Sequence, residues 1–322
     1  MSEKILLIAG DPNSVNSEII FKSWKNLDKK IKKKLFIVGS QKLLKTQFKK
    51  LGYKVAVEVK KDINHFKNLK NFKIIDVPLN FRNPFNVPLK ASSEYTIKSL
   101  NIGHDLAIKK NIKGFVNCPI NKKLLIKTKK VGVTEYLASK CKILKNNEQM
   151  LIYNKKLSVA PITTHINIKD ISKKINSNLI IKKTLCLNNG FRKIFGVKPN
   201  IGILGLNPHN SEFSKDSEEI KYILPAIKRL KTRGIKISGP FVADTLFINN
   251  YKKFDVIIGM YHDQVLAPFK TLFQYDAFNL TLGLNYIRVS PDHGTAKDLI
   301  GKNKANSLSL IQCIKFLNNL KK

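Results

Sequence analysis

The chain has 322 residues, 43% of them hydrophobic, which suits one large or two medium globular domains and excludes a disordered polyelectrolyte. Its net charge of +37 comes from lysines spread along the chain, with only five arginines (Arg82, Arg192, Arg229, Arg233 and Arg288), so solvated faces are expected and no specific nucleic-acid partner. No apolar run approaches the roughly 18 residues of a membrane span, no secretory signal opens the chain, and its four cysteines form no CxxC pair, so a cytoplasmic protein with reduced thiols and no membrane partner is expected.

Seven strands are predicted in chain order: Ile5–Ala9, Leu35–Val38, Gly114–Asn117, Val159–Ile162, Ile201–Leu206, Val256–Met260 and Tyr286–Val289. Lysine-rich segments with apolar residues at helical spacing, such as Ser172–Asn189 and Ser217–Arg233, lie between them. Short apolar strands alternating with helices imply an α/β fold with a mainly parallel sheet covered on both faces. The first turn reads GDPNSVNSE, without the GxGxxG of a standard dinucleotide fold, and no GxxxxGK[ST] phosphate loop is present.

Histidine is scarce, yet four of the six follow predicted strands: His165, His209, His262 and His293. The carboxyl ends of strands are where open α/β sheets place their chemistry, and imidazole is a common metal ligand and proton carrier. A lone histidine beside a strand is more often structural, so the repetition carries the signal. His165, His209 and His262 are 44 and 53 residues apart, which rules out a local metal motif. If they meet in space, three imidazoles leave open positions on a divalent ion.

Asp244 and Asp263 could orient a ligand or accept a proton, or could simply cap helices. Lys270, Asn279 and Arg288 are nine apart, so they sit on successive elements. Together they would suit a substrate with phosphate and carboxylate groups; separately they are a surface lysine, a turn asparagine and an ion-paired arginine. Asp292, Gly294 and Thr295 precede a predicted helix whose exposed N–H groups favour an anion or an adenosine phosphate.

The stretches GDPNSVNSE, CPINK, GVTEYLA, TTHI, GLNPHNSE, GPFVADTLF, YHDQVLAPFK and LGLNYIRVSPDHGTAKDLIGK resemble, in order, the 4-hydroxythreonine-4-phosphate dehydrogenase family of vitamin B6 biosynthesis. The resemblance implies an isocitrate/isopropylmalate dehydrogenase-like fold: two α/β/α domains with an interdomain cleft, in a homodimer whose subunits share active sites. On that pattern residues 1–125 with 265–322 form the cofactor domain, and 126–264 form the metal-binding and dimerisation domain. It further implies that His165, His209 and His262 bind a divalent metal (zinc, cobalt, manganese or magnesium). Thr134, Lys270, Asn279 and Arg288 would contact the phosphorylated substrate, and Asp292, His293, Gly294 and Thr295 would hold NAD or NADP. Asp244, Asp263 and Lys270 are the catalytic candidates, either aspartate being a possible base. The implied reaction oxidises 4-phosphooxy-L-threonine to 2-amino-3-oxo-4-phosphooxybutanoate, which decarboxylates to 3-amino-2-oxopropyl phosphate. The chain departs from the family pattern at Val133, where GVTE replaces GHTE, and in the glycine-poor GDPNSVNSE and NPHNSE loops. Val133 keeps open a different phosphorylated hydroxy acid, such as 4-phospho-erythronate or a phosphothreonate.

Overall fold

The computed structural model describes residues 3–60, 63, 71–109, 111–130, 132–144, 147–248 and 250–320. The chain divides into two compact units, Met1–Lys140 with Asn285–Lys322 and Cys141–Leu284. The divisions therefore fall at 140/141 and 284/285 rather than at 125/126 and 264/265. Cuts at the latter positions would pass through the 3-10 helix Lys122–Thr128 and the α-helix His262–Phe273.

Twelve strands follow one another along the chain: β1 (Ile5–Ile8), β2 (Leu35–Gly39), β3 (Val57–Lys60), β4 (Phe72–Asp76), β5 (Gly114–Asn117) and β6 (Gln149–Tyr153), then β7 (Ser158–Thr163), β8 (Ile201–Leu204), β9 (Ile237–Phe241), β10 (Val256–Tyr261), β11 (Phe278–Leu282) and β12 (Arg288–Pro291). In the first unit the order is β3-β4-β2-β1-β5-β12, and every pairing is parallel. A strand buried on both faces needs apolar side chains throughout, and Ile5, Leu6, Leu7 and Ile8 of β1 are all fully buried. Parallel neighbours also require crossovers, supplied here by helices such as Asn16–Asn26, Gln41–Lys50 and Leu89–Ile108. Helix Asn16–Asn26 turns Ile19 and Ile20 inward, each contributing roughly 1.5–3 kcal/mol by burial.

In the second unit the order is β11-β6-β7-β10-β8-β9. The pairs β7·β10, β10·β8 and β8·β9 are parallel, whereas β11·β6 and β6·β7 are antiparallel. The expected mainly parallel α/β architecture is present, with an antiparallel pair added on one side. All seven predicted strands form, although the last begins at Arg288 rather than Tyr286. The Tyr286 ring lies 5.4 Å from that of Phe115, and its hydroxyl is 3.0 Å from His104 Nδ1. Most lysines are solvent-facing, but Lys73 is buried and its Nζ donates to the carbonyls of Lys32 and Lys33, closing helix Lys29–Lys34. Burial lowers its pKa to about 8.

Candidate active site

Three adjacent parallel strands of the second unit, β7, β10 and β8, run in the same direction, so their carboxyl ends share one edge. Each is followed by one of the predicted metal histidines. The register pairs Thr163 with Tyr261, which brings His165 and His262 to nearly the same level. Their ring centroids are 5.6 Å apart. Two imidazoles on one tetrahedral ion would place their centroids about 5 Å apart, so this pair fits a shared ion. Both line a cleft of about 190 Å³ with Thr163, Thr164, Tyr261 and Asp263.

His262 opens helix His262–Phe273, and its Nδ1 lies 2.7 Å from Asp263 Oδ1. A carboxylate can only accept here, so Nδ1 is the donor, and in a neutral ring that tautomer leaves Nε2 as the ligating nitrogen. His209 follows β8 in a turn where His209, Asn210, Ser211, Glu212 and Phe213 all have φ between +47° and +57°. Such left-handed conformation costs L-residues about 1–2 kcal/mol each. His209 is exposed, and among the described residues no three His, Cys, Asp or Glu side chains lie close enough to hold an ion. The structure thus brings two of the three predicted ligands together and leaves the third one strand away.

Lys270 is half-buried in the last turn of helix His262–Phe273. Asn279 lies on β11, and its Oδ1 is sealed from solvent with no hydrogen-bond partner among the described residues. A buried amide oxygen left that way costs about 1–3 kcal/mol, so a bound donor would relieve it. Asp244 is exposed in the first turn of the short helix Ala243–Leu246, whose N-cap position is held by Val242.

In the first unit, Arg288 starts β12 and is 3% exposed. Its Nε donates to Asn117 Oδ1 at 2.6 Å, and Nη1 donates to Thr134 Oγ1 at 3.3 Å. Burial lowers the guanidinium pKa to about 10, and the nearby Tyr286, Cys313 and Glu135 oppose that shift. Thr134 is the second residue of helix Val133–Lys140, so Val133 and the arginine contact are consecutive. Sequence reasoning did not single out Asn117, which lies just before CPINK at the end of β5 and is 2% exposed.

The loop after β12 carries the predicted cofactor residues. Asp292 N–H donates to Ser309 Oγ at 3.2 Å, and Thr295 O accepts from Val15 N–H at 3.2 Å. His293 Nδ1 donates to Gly294 O at 3.0 Å, while its Nε2 is enclosed without a partner among the described residues. Open space surrounds the place of a Cβ on Gly294. An enclosed acceptor beside an open glycine fits a polar cofactor edge. Behind this loop, burial pulls the carboxyl pKa of Asp11 upward, against N–H donation from Asn13 and Asn121 and the charge of Lys297.

A family model described as "Pyridoxal phosphate biosynthetic protein PdxA" matches residues 31–317. The chain belongs to this family. A relative from Sulfurihydrogenibium sp. (strain YO3AOP1) named 4-hydroxythreonine-4-phosphate dehydrogenase is 37% identical, covering 99% of this chain and 98% of its own. One of the same name from Aquifex aeolicus (strain VF5) is 36% identical, covering 99% of both. The crystal structure of the Klebsiella pneumoniae 4-hydroxythreonine-4-phosphate dehydrogenase superposes with a TM-score of 0.84 at 28% identity, covering 98% of each chain. Family membership and fold agree with the resemblance in the motifs. No described helix is long and apolar enough to cross a membrane.

Proposed function

We propose that this chain oxidises 4-phosphooxy-L-threonine with NAD or NADP and a divalent metal, as a cytoplasmic homodimer. The alignment of His165, His262 and His209 on three adjacent parallel strand ends is the observation that supports it most. The full-length kinship to proteins named for that activity points the same way. A metal held by these imidazoles would supply Lewis acidity toward the substrate hydroxyl, with zinc, cobalt or manganese suiting nitrogen ligands better than magnesium. A nicotinamide cofactor, held by Asp292, His293, Gly294 and Thr295, would accept hydride from the carbinol carbon.

The chain's own groups then have distinct tasks. Arg288, fixed by Asn117 and Thr134, would bind a phosphate or carboxylate oxygen. Lys270 would add a positive charge for the same kind of group, and Asn279 Oδ1 would accept from a substrate amine or hydroxyl. Because Asp263 is engaged by His262, we assign it the orientation of that ring and give proton acceptance to Asp244. The oxidised product is a β-keto acid, which loses CO₂ to give 3-amino-2-oxopropyl phosphate. Exposed apolar residues of the second unit, Ile168 (81%) and Ile248 (67%) among them, support a subunit contact there.

A second reading, a different phosphorylated hydroxy acid such as 4-phospho-erythronate or a phosphothreonate, is favoured by Val133, whose side chain cannot hydrogen-bond. NADH formation measured with each substrate, before and after chelation, tests both. Turnover of 4-phosphooxy-L-threonine that stops on chelation and returns with added metal is expected. Turnover that survives complete metal removal would refute the metal's role, and turnover of the alternative acids alone would select the second reading.

A further inference from the structure

The three histidine-bearing loops are joined by a layer of polar contacts beneath them. Thr163 Oγ1 at the end of β7 donates to Met260 O of β10 at 2.7 Å. Met260 N–H donates to Gln264 Oε1 at 2.7 Å, and Gln264 Nε2 donates to Gly205 O at the end of β8 at 2.7 Å. Gln264 lies on the same helix as His262, two residues further on. One amide therefore fixes the end of β10 against the end of β8.

The chain of contacts continues into the His209 loop through Glu219. That side chain is fully buried, and its Oε1 accepts from Leu206 N–H at 2.7 Å and Asn207 N–H at 2.9 Å. Its Oε2 accepts from Asn207 Nδ2 at 3.0 Å. Pro208 and His209 follow directly and enter the left-handed turn. A strained turn persists only where its surroundings over-determine it, and this carboxylate grips its entrance.

Two glycines make room for these groups. A Cβ on Gly259 would come within 2.5 Å of Val265 Cγ1 and 2.9 Å of Gln264 Oε1. A Cβ on Gly205 would come within 2.9 Å of Glu219 Oε1 and collide with Asn210 Oδ1. Both positions are thus shaped by the side chains that hold the loops rather than by the strands themselves.

We infer that Gln264, backed by Glu219, is a positioning residue that sets His209 relative to His262 for metal binding; this rests on the three-histidine reading proposed above. Cobalt(II) titrated into the metal-stripped full-length protein tests it through the visible absorption spectrum and the dissociation constant. Gln264→Met should weaken cobalt binding by about 10–100-fold, the usual effect of losing a group that orients a ligand. His209→Ala should weaken it too, and adding Gln264→Met to His209→Ala should cost less than about threefold more, because the two act through one ligand. Should Gln264→Met fail to fold, Gln264→Glu carries the same cycle, keeping the bond from Met260 while losing the donor to Gly205. Equal losses from the Gln264 substitution in both backgrounds, or no loss in either, would overturn the positioning role and leave the histidine reading standing. Unchanged cobalt affinity in His209→Ala alone would overturn the histidine reading, and this inference with it.

Discussion

The Arg288–Asn117 bond allows a quantitative test that needs neither substrate nor metal. Replacing Asn117 by leucine removes the acceptor at 2.6 Å while keeping similar volume. Both residues are almost wholly buried, at 2% and 3% exposure, so water cannot replace the lost contact without opening the core. Hydrogen bonds to charged groups contribute about 1.5–3 kcal/mol, and burying the stranded donor adds to the loss. We expect Asn117→Leu to destabilise by about 3 kcal/mol, a fall of about 1 M in the urea midpoint for a slope of about 3 kcal/mol per molar. Thr134→Val removes the longer 3.3 Å contact at the more accessible end and should cost under about 1 kcal/mol. Equilibrium urea unfolding followed by circular dichroism measures both. If Asn117→Leu shifts the midpoint no more than Thr134→Val does, the guanidinium is not held as argued.

Burial pushes the Glu219 carboxyl upward, but donation from Asn207 and Leu206 outweighs it and the net pKa lies below the ordinary value. A depressed folded-state pKa gives stability that is full above the unfolded value and lost as pH falls through the folded value, so Glu219→Gln should lower the melting temperature at neutral pH and by progressively less below pH ~4; a difference that grows with acidity would contradict this. Cys118 and Cys313 are fully buried and their thiols are raised by that burial, and burial raises Cys186 to about 11, so thiol-reactive dye in the native protein should label Cys141 first. Rapid labelling of Cys118 or Cys313 would show that the core opens there. Val133→His should raise kcat/KM for 4-phosphooxy-L-threonine by about 3–10-fold, the worth of one neutral hydrogen bond, with steady-state kinetics as the check. No gain, or a loss confined to another phosphorylated acid, would favour the second substrate reading.

The apolar runs made the central strands legible because parallel strands buried on both faces tolerate little else. Of the five strands missed at that level, Phe72–Asp76 carries an apolar run like those found, whereas the other four have patterns or pairings that no apolar run marks. Val57–Lys60 alternates charge with valine, and Ile237–Phe241 contains Gly239-Pro240, which reads as a turn but is accommodated in the outermost strand of the second unit. Gln149–Tyr153 and Phe278–Leu282 pair antiparallel, placing a strand directly before and another well after the parallel set. Nothing local marks that arrangement.

At the site, residue scarcity was enough to find the histidines, because so few were available to repeat one position. Their supports could not be found that way. Asparagine is abundant, and glutamine, though as scarce as histidine, does not gather after the strands; Gln264, Glu219 and Asn117 act through partners 59, 13 and 171 residues away. The His209 turn was equally hidden, since of His209–Phe213 only Asn210 is a residue type that readily adopts the left-handed conformation all five share. That conformation has to be imposed from outside the turn. A substitution at Glu219 should therefore disturb His209 more than a substitution among Asn210, Ser211 and Glu212 that leaves the entrance of the turn intact.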